Sequence, residues 1–192
     1  MSKESVFSKV EKVTYLTPAS TVVLVSTKGL DGVNNIAPFG MFMMASTRPP
    51  MVIVGVSPKT DTHKNIFDTK EFVVGIPTRN IVNEVYASGE NFPPEVDEFI
   101  QVGLTPYKSP NIKAPRIHEC IVNLDCMLAW TQTAGNHTII CGNVIDADLD
   151  DNIFTDSISS IELRKKVSEL YHITSNAFLT YDGVLLAKKT IK

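Results

Sequence analysis

Short runs of β-branched and other apolar residues, each ended by glycine, proline or another turn residue, dominate the first 80 residues. The run 20–27, STVVLVST, ends at a Lys-Gly-Leu-Asp-Gly turn, and the runs 51–57, MVIVGVS, and 71–76, EFVVGI, are similar. Runs of this length and composition predict strands joined by tight connections. Many short strands of this kind favour a closed or partly closed barrel over a parallel α/β sheet. The predicted fold class is therefore mainly β, a β-barrel with peripheral helices.

The predicted helices are few and lie between or after the strands. The Thr-Asp-Thr sequence at 60–62 can cap a helix that continues to about Asp68. Apolar residues at helical spacing predict a second helix over 80–90, outside the sheet, with Gly89 as its stop. A capping-box pattern before 163–170, LRKKVSEL, predicts a third helix, which a loosely patterned tail follows.

The second half of the chain is predicted to contain a long connection and then a long hairpin. Five of the eleven prolines fall within 91–116, around a brief turn at 97–103, DEFIQVG. Such a segment predicts an irregular excursion, and long excursions in compact domains often carry function. The β-type runs 122–131 and 138–148 are separated by Gly135-Asn136, which predicts a hairpin.

Length and composition indicate one soluble, globular domain. The chain has 192 residues, 43% of them hydrophobic and 20% charged, so one domain over 1–192 is expected, with its core at about 15–150 and a C-terminal helix and tail at 151–192. The net charge of −3 and the lack of a basic block argue against nucleic acid as a partner. A polar N-terminus and the absence of any apolar run of about 18 residues argue against a secretory signal or a membrane span. A cytoplasmic location is expected.

Cysteine and histidine spacing offers no local metal site. The residues concerned are Cys120, Cys126 and Cys141, and His63, His118, His137 and His172. The cysteines form no CxxC pair, and no two histidines are three to five residues apart. No metal is therefore predicted, and the cysteines are interpreted as reduced thiols of the core.

The chain also lacks a recognisable catalytic motif of its own. It contains no nucleophile motif with a serine, a histidine and an acid, and neither a GxGxxG nor a GxxxxGK[ST] loop. In cofactor enzymes the cofactor carries the difficult chemistry, and the protein supplies position and electrostatics. We therefore expect no catalytic side chain from motifs of the chain itself.

The segment from Asn35 to Asn65 is the strongest candidate for a cofactor site. A Met-rich turn and strand lead into a polar loop that opens a helix, and this order suits a flat aromatic ligand that carries a phosphate. Lys59, Thr60 and Thr62 lie where unbonded N–H groups of the helix favour an anion. Alternatives remain: the two threonines can cap a helix without any ligand, and the methionines at 41–51 can fill a core instead of lining a ring.

The segment resembles the signature of the flavin reductase-like, FMN-binding split-barrel family. The residues that carry the likeness are Asn35-x-Ala37-Pro38-Phe39-Gly40-x-Phe42, Pro49-Pro50, Lys59-x-Asp61-Thr62-x-x-Asn65-Ile66, Glu71-Phe72-Val73-Val74, Gly103-Leu104-Thr105, Ala114-Pro115, Gly135-Asn136-His137 and Gly142-x-Val144. Together they cover roughly 15–150 and follow the family's order. Two positions depart from it, because many relatives have Ser in place of Gly40 and Asn in place of Gly75.

The resemblance implies a six-stranded, Greek-key split β-barrel that binds FMN, usually as a homodimer with the flavin near the subunit interface. Backbone N–H groups around Phe39 to Met41 would meet the polar edge of the flavin, and the loop before the helix would hold its phosphate. The implied cofactor-binding residues are Asn35, Pro38, Phe39, Gly40, Met41, Ser57, Lys59, Thr60, Asp61, Thr62 and Asn65. His137 matches a family histidine, so the resemblance implies that it would contact the nicotinamide or substrate pocket and makes it the candidate for a catalytic side chain beside the flavin chemistry. Trp130 is expected in the core or at the interface.

The function implied by the resemblance is that of an FMN-dependent oxidoreductase of the flavin reductase type. Hydride would pass from NADH or NADPH to the bound flavin, and electrons would continue to a small acceptor, free flavin or a partner protein. One alternative is a flavoredoxin-like electron carrier that does not oxidise NAD(P)H itself. Another is a barrel that binds a different phosphorylated aromatic molecule, such as pyridoxal phosphate, or a haem-related ligand.

Overall fold

The computed structural model describes residues 18–149, 159, 162–163, 167, 169–174 and 176–180. In chain order, the strands are β1 (Ser20–Thr21), β2 (Val23–Lys28), β3 (Asn34–Phe39), β4 (Phe42–Thr47), β5 (Pro50–Val56), β6 (Glu71–Ile76), β7 (Pro106–Tyr107), β8 (Arg116–Ile117), β9 (Val122–Ala134), β10 (His137–Leu149), β11 (Tyr171–Thr174) and β12 (Ala177–Leu179). The helices are α1 (Asp61–Thr69), α2 (Val82–Ala87) and α3 (Glu98–Val102), and a 3-10 turn, Arg79–Ile81, precedes α2.

The main sheet is a split barrel. Its seven strands are hydrogen-bonded in the order β3-β2-β6-β9-β10-β5-β4, and every pair is antiparallel. Buried side chains from five of these strands meet in one cluster with Ile66 of α1, so the sheet curls around a common core. The main sheet therefore has one strand more than the six that the family resemblance implies.

The split lies between β3 and β4, which are consecutive in sequence but form opposite edges of the sheet. Only Gly40 and Met41 connect them. Consecutive Cα atoms are 3.80 Å apart, so Phe39 and Phe42 can be separated by about 11 Å at most. This two-residue link holds the two edges of the barrel close together.

A second layer covers the outer face of β2 and β3. It is formed by the 3-10 turn, α2, α3 and the segment before β11, whose apolar residues pack against the sheet. The buried members of this cluster are Val22, Leu24, Ile36, Ile81, Val85, Phe99, Val102, Leu104, Ile117, Cys120 and Leu170. The core of the described structure thus has an inner part within the barrel and an outer part beneath the helices.

The helix predicted to start at the Thr-Asp-Thr sequence is confirmed as α1, whereas the helix predicted over 80–90 is shorter than expected. Thr60 caps α1 by accepting a hydrogen bond from the His63 N–H at 3.3 Å. The second helix, α2, spans Val82–Ala87, and its C-cap residue Ser88 donates its hydroxyl to the Val85 carbonyl at 2.9 Å. Gly89 follows this cap directly, so the predicted stop is confirmed and the helix starts later than predicted.

The excursion over 91–116 is more regular than its prolines predicted. Asp97 caps α3 by accepting from the Phe99 N–H at 3.0 Å, and Gly103, at φ +78°, ends that helix. Strands β7 and β8 then pair with each other. Proline excludes long ladders but permits short elements that side chains hold in place, so the prediction of a wholly irregular segment was wrong.

The hairpin is confirmed and is longer than predicted, with β9 and β10 thirteen residues each and a turn at Gly135, φ +60°. In the C-terminal part, Ser159 and Glu162 form the predicted capping box, with the Ser159 hydroxyl 2.8 Å from the Glu162 carboxylate. Most of the helix predicted after it lies outside the described residues. The loosely patterned tail predicted no strand, but Ala177–Leu179 forms β12 and pairs with β11.

All three cysteines are free and buried, which confirms their interpretation as core thiols. Burial raises the pKa of the Cys120 and Cys126 thiols, so both are protonated at neutral pH. No helix within the described residues is both long enough and apolar enough to cross a membrane.

A buried ion pair fixes the excursion to the barrel. The Arg116 guanidinium donates to both carboxylate oxygens of Asp125, at 2.9 and 2.8 Å, and also reaches Asp146 at 2.6 Å. The side chain of Asp125 is fully buried and that of Arg116 is 8% exposed. The Ser109 hydroxyl donates to the same Asp125 carboxylate at 2.6 Å. Three segments, namely β9, β8 and the loop that carries Ser109, therefore meet at one buried carboxylate.

Replacing Asp125 with alanine is expected to lower the free energy of unfolding by about 3–5 kcal/mol, because it leaves a buried guanidinium with half of its partners. Chemical denaturation measures this loss. Asp68→Ala is the matched control: it breaks the exposed Lys64–Asp68 pair, 3.3 Å apart, and should cost less than about 1 kcal/mol. An equal loss of unfolding free energy in the two variants would contradict the stabilising role of the buried Arg116–Asp125 pair.

Candidate functional site

The loop between β5 and α1 forms the first part of the site. After Val56 the chain turns sharply, and both the N–H and the hydroxyl of Thr60 donate to the Ser57 carbonyl, at 3.2 and 2.9 Å. The Lys59 N–H lies 3.4 Å from the Ser57 hydroxyl, and the Lys59 side chain is exposed. The first N–H groups of a helix have no acceptor within the helix, and the helix dipole is positive there. The loop and the start of α1 therefore favour an anion.

A buried network of side chains holds the start of α1 against the barrel. The Asn35 amide oxygen accepts from the hydroxyls of Thr62, at 2.8 Å, and Thr27, at 3.1 Å. The Asn65 amide donates to the Thr27 hydroxyl at 3.1 Å, and the Asn35 amide donates to Glu98 at 2.6 Å. Among the predicted cofactor residues, Thr62 is thus bonded directly to Asn35, and Asn65 is connected to Asn35 through the Thr27 hydroxyl. Direct contact between them and a cofactor stays a prediction.

The β3–β4 link forms the second part of the site. The Gly55 N–H donates to the Met41 carbonyl at 2.8 Å. A Cβ atom at Gly55 would lie 2.9 Å from Met41 Cβ, so glycine lets the link rest directly on β5. Gly55 precedes Ser57 by two residues, or about 7 Å of strand. The predicted ring end and the predicted phosphate end therefore adjoin along β5.

The two departures from the family pattern have packing reasons in this chain. A Cβ atom at Gly75 would lie 2.6 Å from Ile117 Cδ1 and 2.8 Å from Cys120 Sγ, so the outer core occupies the space that an asparagine would need. A Cβ atom at Gly40 would lie 2.9 Å from the Ser20 hydroxyl. Gly40 therefore allows β1 to approach the link closely.

A cavity of about 440 Å³ lies beside Pro38, Phe39 and Gly40. Its other walls come from α2, the residues after it and the C-terminal strands: Val22, Val85, Tyr86, Gly89, Glu90, His172 and Phe178. The rings of His172 and Phe178 are 5.3 Å apart and tilted by 55°. A cavity of this size with several aromatic walls can hold a flat organic ring. The sequence did not predict that His172 and Phe178 line this cavity, because strand β12 was not predicted.

Methionine side chains near the link are exposed, which makes core filling the wrong interpretation for most of them. Met41, Met43 and Met44 are 59%, 58% and 47% exposed, and only Met51 is half-buried. Trp130 was expected in the core or at the interface; it is 46% exposed, so it does not belong to the core, and its place at an interface stays a prediction. The strand register runs from Met43 through Ile53 and Cys141 to Trp130, so an apolar row crosses four strands beside the site.

Two histidines lie near the loop between β5 and α1. His137 begins β10 and bonds to Asn136 at 2.8 Å, and the next residue, Thr138, is paired with Val56. This register places His137 beside Ser57. His63 in α1 stacks on Phe67 with ring centroids 4.2 Å apart, and its Nε2 lies 3.1 Å from the Thr138 hydroxyl.

Burial lowers the pKa of His63, so the ring is neutral at pH 7. Sequence reasoning did not single out His63, although its place in the first turn of the capped helix is the signal that could have done so. Within the described part of the chain, no group of three or more histidine, cysteine or acidic side chains is placed to hold a metal ion.

Comparison with known proteins identifies the family of this fold and site. The flavin reductase like domain matches residues 17–174, and the chain therefore belongs to that family. An uncharacterised protein of Aquifex aeolicus is 38% identical over 140 residues, which span 70% of this chain and 71% of that protein. The resemblance inferred from the sequence is thereby confirmed.

Two solved structures share the fold. The flavoredoxin of Desulfovibrio vulgaris (Miyazaki F) superimposes with a TM-score of 0.78 at 24% identity, covering 90% of this chain and 91% of that one. An FMN-binding protein from Thermus thermophilus superimposes with a TM-score of 0.77 at 16% identity, covering 91% and 93%. The family defines the general function of the chain as flavin-related oxidoreduction.

Proposed function

We propose that this protein binds FMN and passes hydride from NADH or NADPH to it, and electrons from it to a small acceptor, free flavin or a partner protein. The observation that carries the proposal is the hydrogen bond from Gly55 to Met41. It joins the glycine-containing turn, where a ring can approach the backbone, to the anion-favouring loop two residues further along the strand. FMN has this combination of a flat ring and a terminal phosphate.

The phosphate is assigned to the loop and the start of α1. Lys59 supplies a positive charge, Ser57 and Thr60 supply hydroxyls, and Asp61 and Thr62 supply backbone N–H groups. The Thr62 hydroxyl already donates its proton to Asn35, so that side chain acts by holding the helix start. Asn35 and Asn65 have the same supporting role in this proposal.

The ring is assigned to the backbone of Phe39, Gly40 and Met41, with Pro38 as a neighbouring wall. Bound flavin would supply reversible hydride acceptance, and no side chain needs to act as a nucleophile. The chain's own part is to orient the ring, to hydrogen-bond its polar edge through backbone N–H groups and to leave one face accessible to the nicotinamide. His137, beside Ser57, is proposed to contact the hydride donor.

We propose that the protein forms a homodimer, because the apolar residues around the site are exposed. The row from Met43 to Trp130 adjoins the link, and β4 is an edge strand of the sheet. Exposed apolar patches beside an open edge are typical of interaction surfaces. Sedimentation of the FMN-loaded protein tests this point, and a monomer at micromolar concentration would contradict it.

Lys59→Ala is expected to weaken FMN binding by roughly 1.5–3 kcal/mol, because it removes a charged partner of the phosphate. Fluorescence titration of the apoprotein with FMN measures the loss. Binding of riboflavin, which lacks the phosphate, should be unchanged, and the exposed Lys108→Ala is the control for charge alone. An unchanged FMN affinity in Lys59→Ala would make the phosphate assignment wrong.

Anaerobic addition of NADH or NADPH to the FMN-loaded protein should bleach the flavin absorbance near 450 nm, about one equivalent of donor per flavin, because hydride transfer reduces the ring. A protein that binds FMN but is not bleached by either donor would instead be the flavoredoxin-like carrier. A colourless protein that takes up no added FMN would contradict the proposed function, whereas the visible spectrum of a bound pyridoxal phosphate or haem-related ligand would support one of those alternatives.

A further inference from the structure

Glu98 is a buried carboxyl group that joins the 91–116 excursion to β3. It is the first residue of α3 and is only 7% exposed. One of its oxygens, Oε2, accepts from the Asn35 amide at 2.6 Å and from the Ile36 N–H at 2.7 Å. The neighbouring Asp97 adds a bond from the Asn34 amide at 2.8 Å. The carboxyl group therefore contacts the same asparagine that supports the start of α1.

Two hydrogen bonds connect Glu98 to the helix that is proposed to bind the phosphate. Glu98 accepts from one end of the Asn35 amide, and the other end accepts from Thr62 in the first turn of α1. A cavity of about 120 Å³ separates the excursion from that turn, and both Glu98 and Asp61 line it. A charge bound at the start of α1 therefore acts on Glu98 across a short, partly enclosed space.

The geometry accepts both protonation states of this carboxyl group. Both donors use Oε2, so a proton on Oε1 breaks neither hydrogen bond. A buried carboxyl whose donors occupied both oxygens would lose a bond on protonation. Glu98 can therefore gain or lose a proton while the network beneath α1 stays intact.

The charged groups around Glu98 are mostly acidic. Asp61 and Lys64 face it from α1, Asp31 from the β2–β3 turn and Asp97 from its own helix cap, and β3 contributes no charged side chain. Lys64 is 66% exposed and is paired with Asp68, so it offsets little of the negative charge. Burial, together with Asp61 and Asp97, raises the pKa of Glu98 to about 7 against the opposing effect of the Ile36 N–H.

We propose that Glu98 is a positioning residue that couples binding of the flavin phosphate to uptake of a proton. The inference rests on the proposed function, because it needs the phosphate at the start of α1. A bound phosphate adds negative charge near Asp61 and Glu98, which favours the neutral form of the carboxyl. FMN then binds most tightly where Glu98 is protonated, and its affinity falls as the pH rises through the pKa of that group.

The test measures FMN and riboflavin affinities between pH 6.5 and 8.5 for the wild type, Glu98→Gln and the control Glu95→Gln, an exposed glutamate of the same segment. Wild type and Glu95→Gln should bind FMN several-fold more weakly at pH 8.5 than at pH 6.5. The loss of affinity is limited to about tenfold for a bound phosphate that raises the pKa of Glu98 by one. Glu98→Gln should show a flat profile. Riboflavin, without a phosphate, should give flat profiles throughout.

Calorimetry on the wild type gives a second readout that does not depend on any variant folding. FMN binding at pH 7.5, measured in two buffers of different ionisation enthalpy, should show uptake of a fraction of a proton. No uptake, or the same pH profile in Glu98→Gln as in the wild type, would overturn the proposal while leaving the proposed function intact. Failure of FMN to bind at any pH would overturn both.

The unfolding of the apoprotein offers an independent check on the titration itself. A carboxyl whose pKa is raised from 4.5 to about 7 holds its proton more tightly in the folded state. Its contribution therefore lowers stability progressively as the pH rises from about 4.5 to 7. Glu98→Gln should remove that part of the pH dependence of Tm, and Glu95→Gln should retain it. If Tm depends on pH in the same way in the wild type, Glu98→Gln and Glu95→Gln, then Glu98 is not the group that titrates, and the proposal is overturned.

Discussion

The two-residue link between β3 and β4 is the constraint on which the rest of the structure depends. Gly40 and Met41 must span the split between the two edge strands of the main sheet, and the hydrogen bond from Gly55 fixes the link against β5. Closure at this point brings the strand edges together around the inner core. It also fixes the backbone turn next to the loop that opens α1. The proposed ring site consequently adjoins the proposed anion site at the feature that closes the barrel.

The proposed chemistry depends on two separate parts of the site, the start of α1 and the β3–β4 link. Asn35 stabilises the start of α1, because its amide bonds to residues of β2, α1 and α3. The link is fixed by the hydrogen bond from Gly55 of β5 to the Met41 carbonyl. Within the described residues, no group of three or more histidine, cysteine or acidic side chains is placed to hold a metal ion. In the proposed function, these two parts hold a cofactor that has a ring and a phosphate.

Local signals predicted the parts of the fold that local physics determines. The capped start of α1, the β9–β10 hairpin and the strand runs follow from side-chain chemistry over a few residues. The burial of Asn35 and Glu98 against each other could not be predicted, because 63 residues separate them. Likewise, the exposure of Met41 and Met43 depends on their place at an open edge, which the methionine-rich pattern does not reveal. The single-domain boundaries and the cofactor contacts stay predictions.

A crystal structure of the protein grown with FMN tests the central claim most directly. The account predicts phosphate oxygens within hydrogen-bond distance of the Lys59 side chain and the backbone N–H groups of Asp61 and Thr62. It also predicts the polar edge of the ring against the backbone of Phe39 to Met41. Flavin bound elsewhere, or bound with its phosphate in solvent and its ring away from the link, would contradict it.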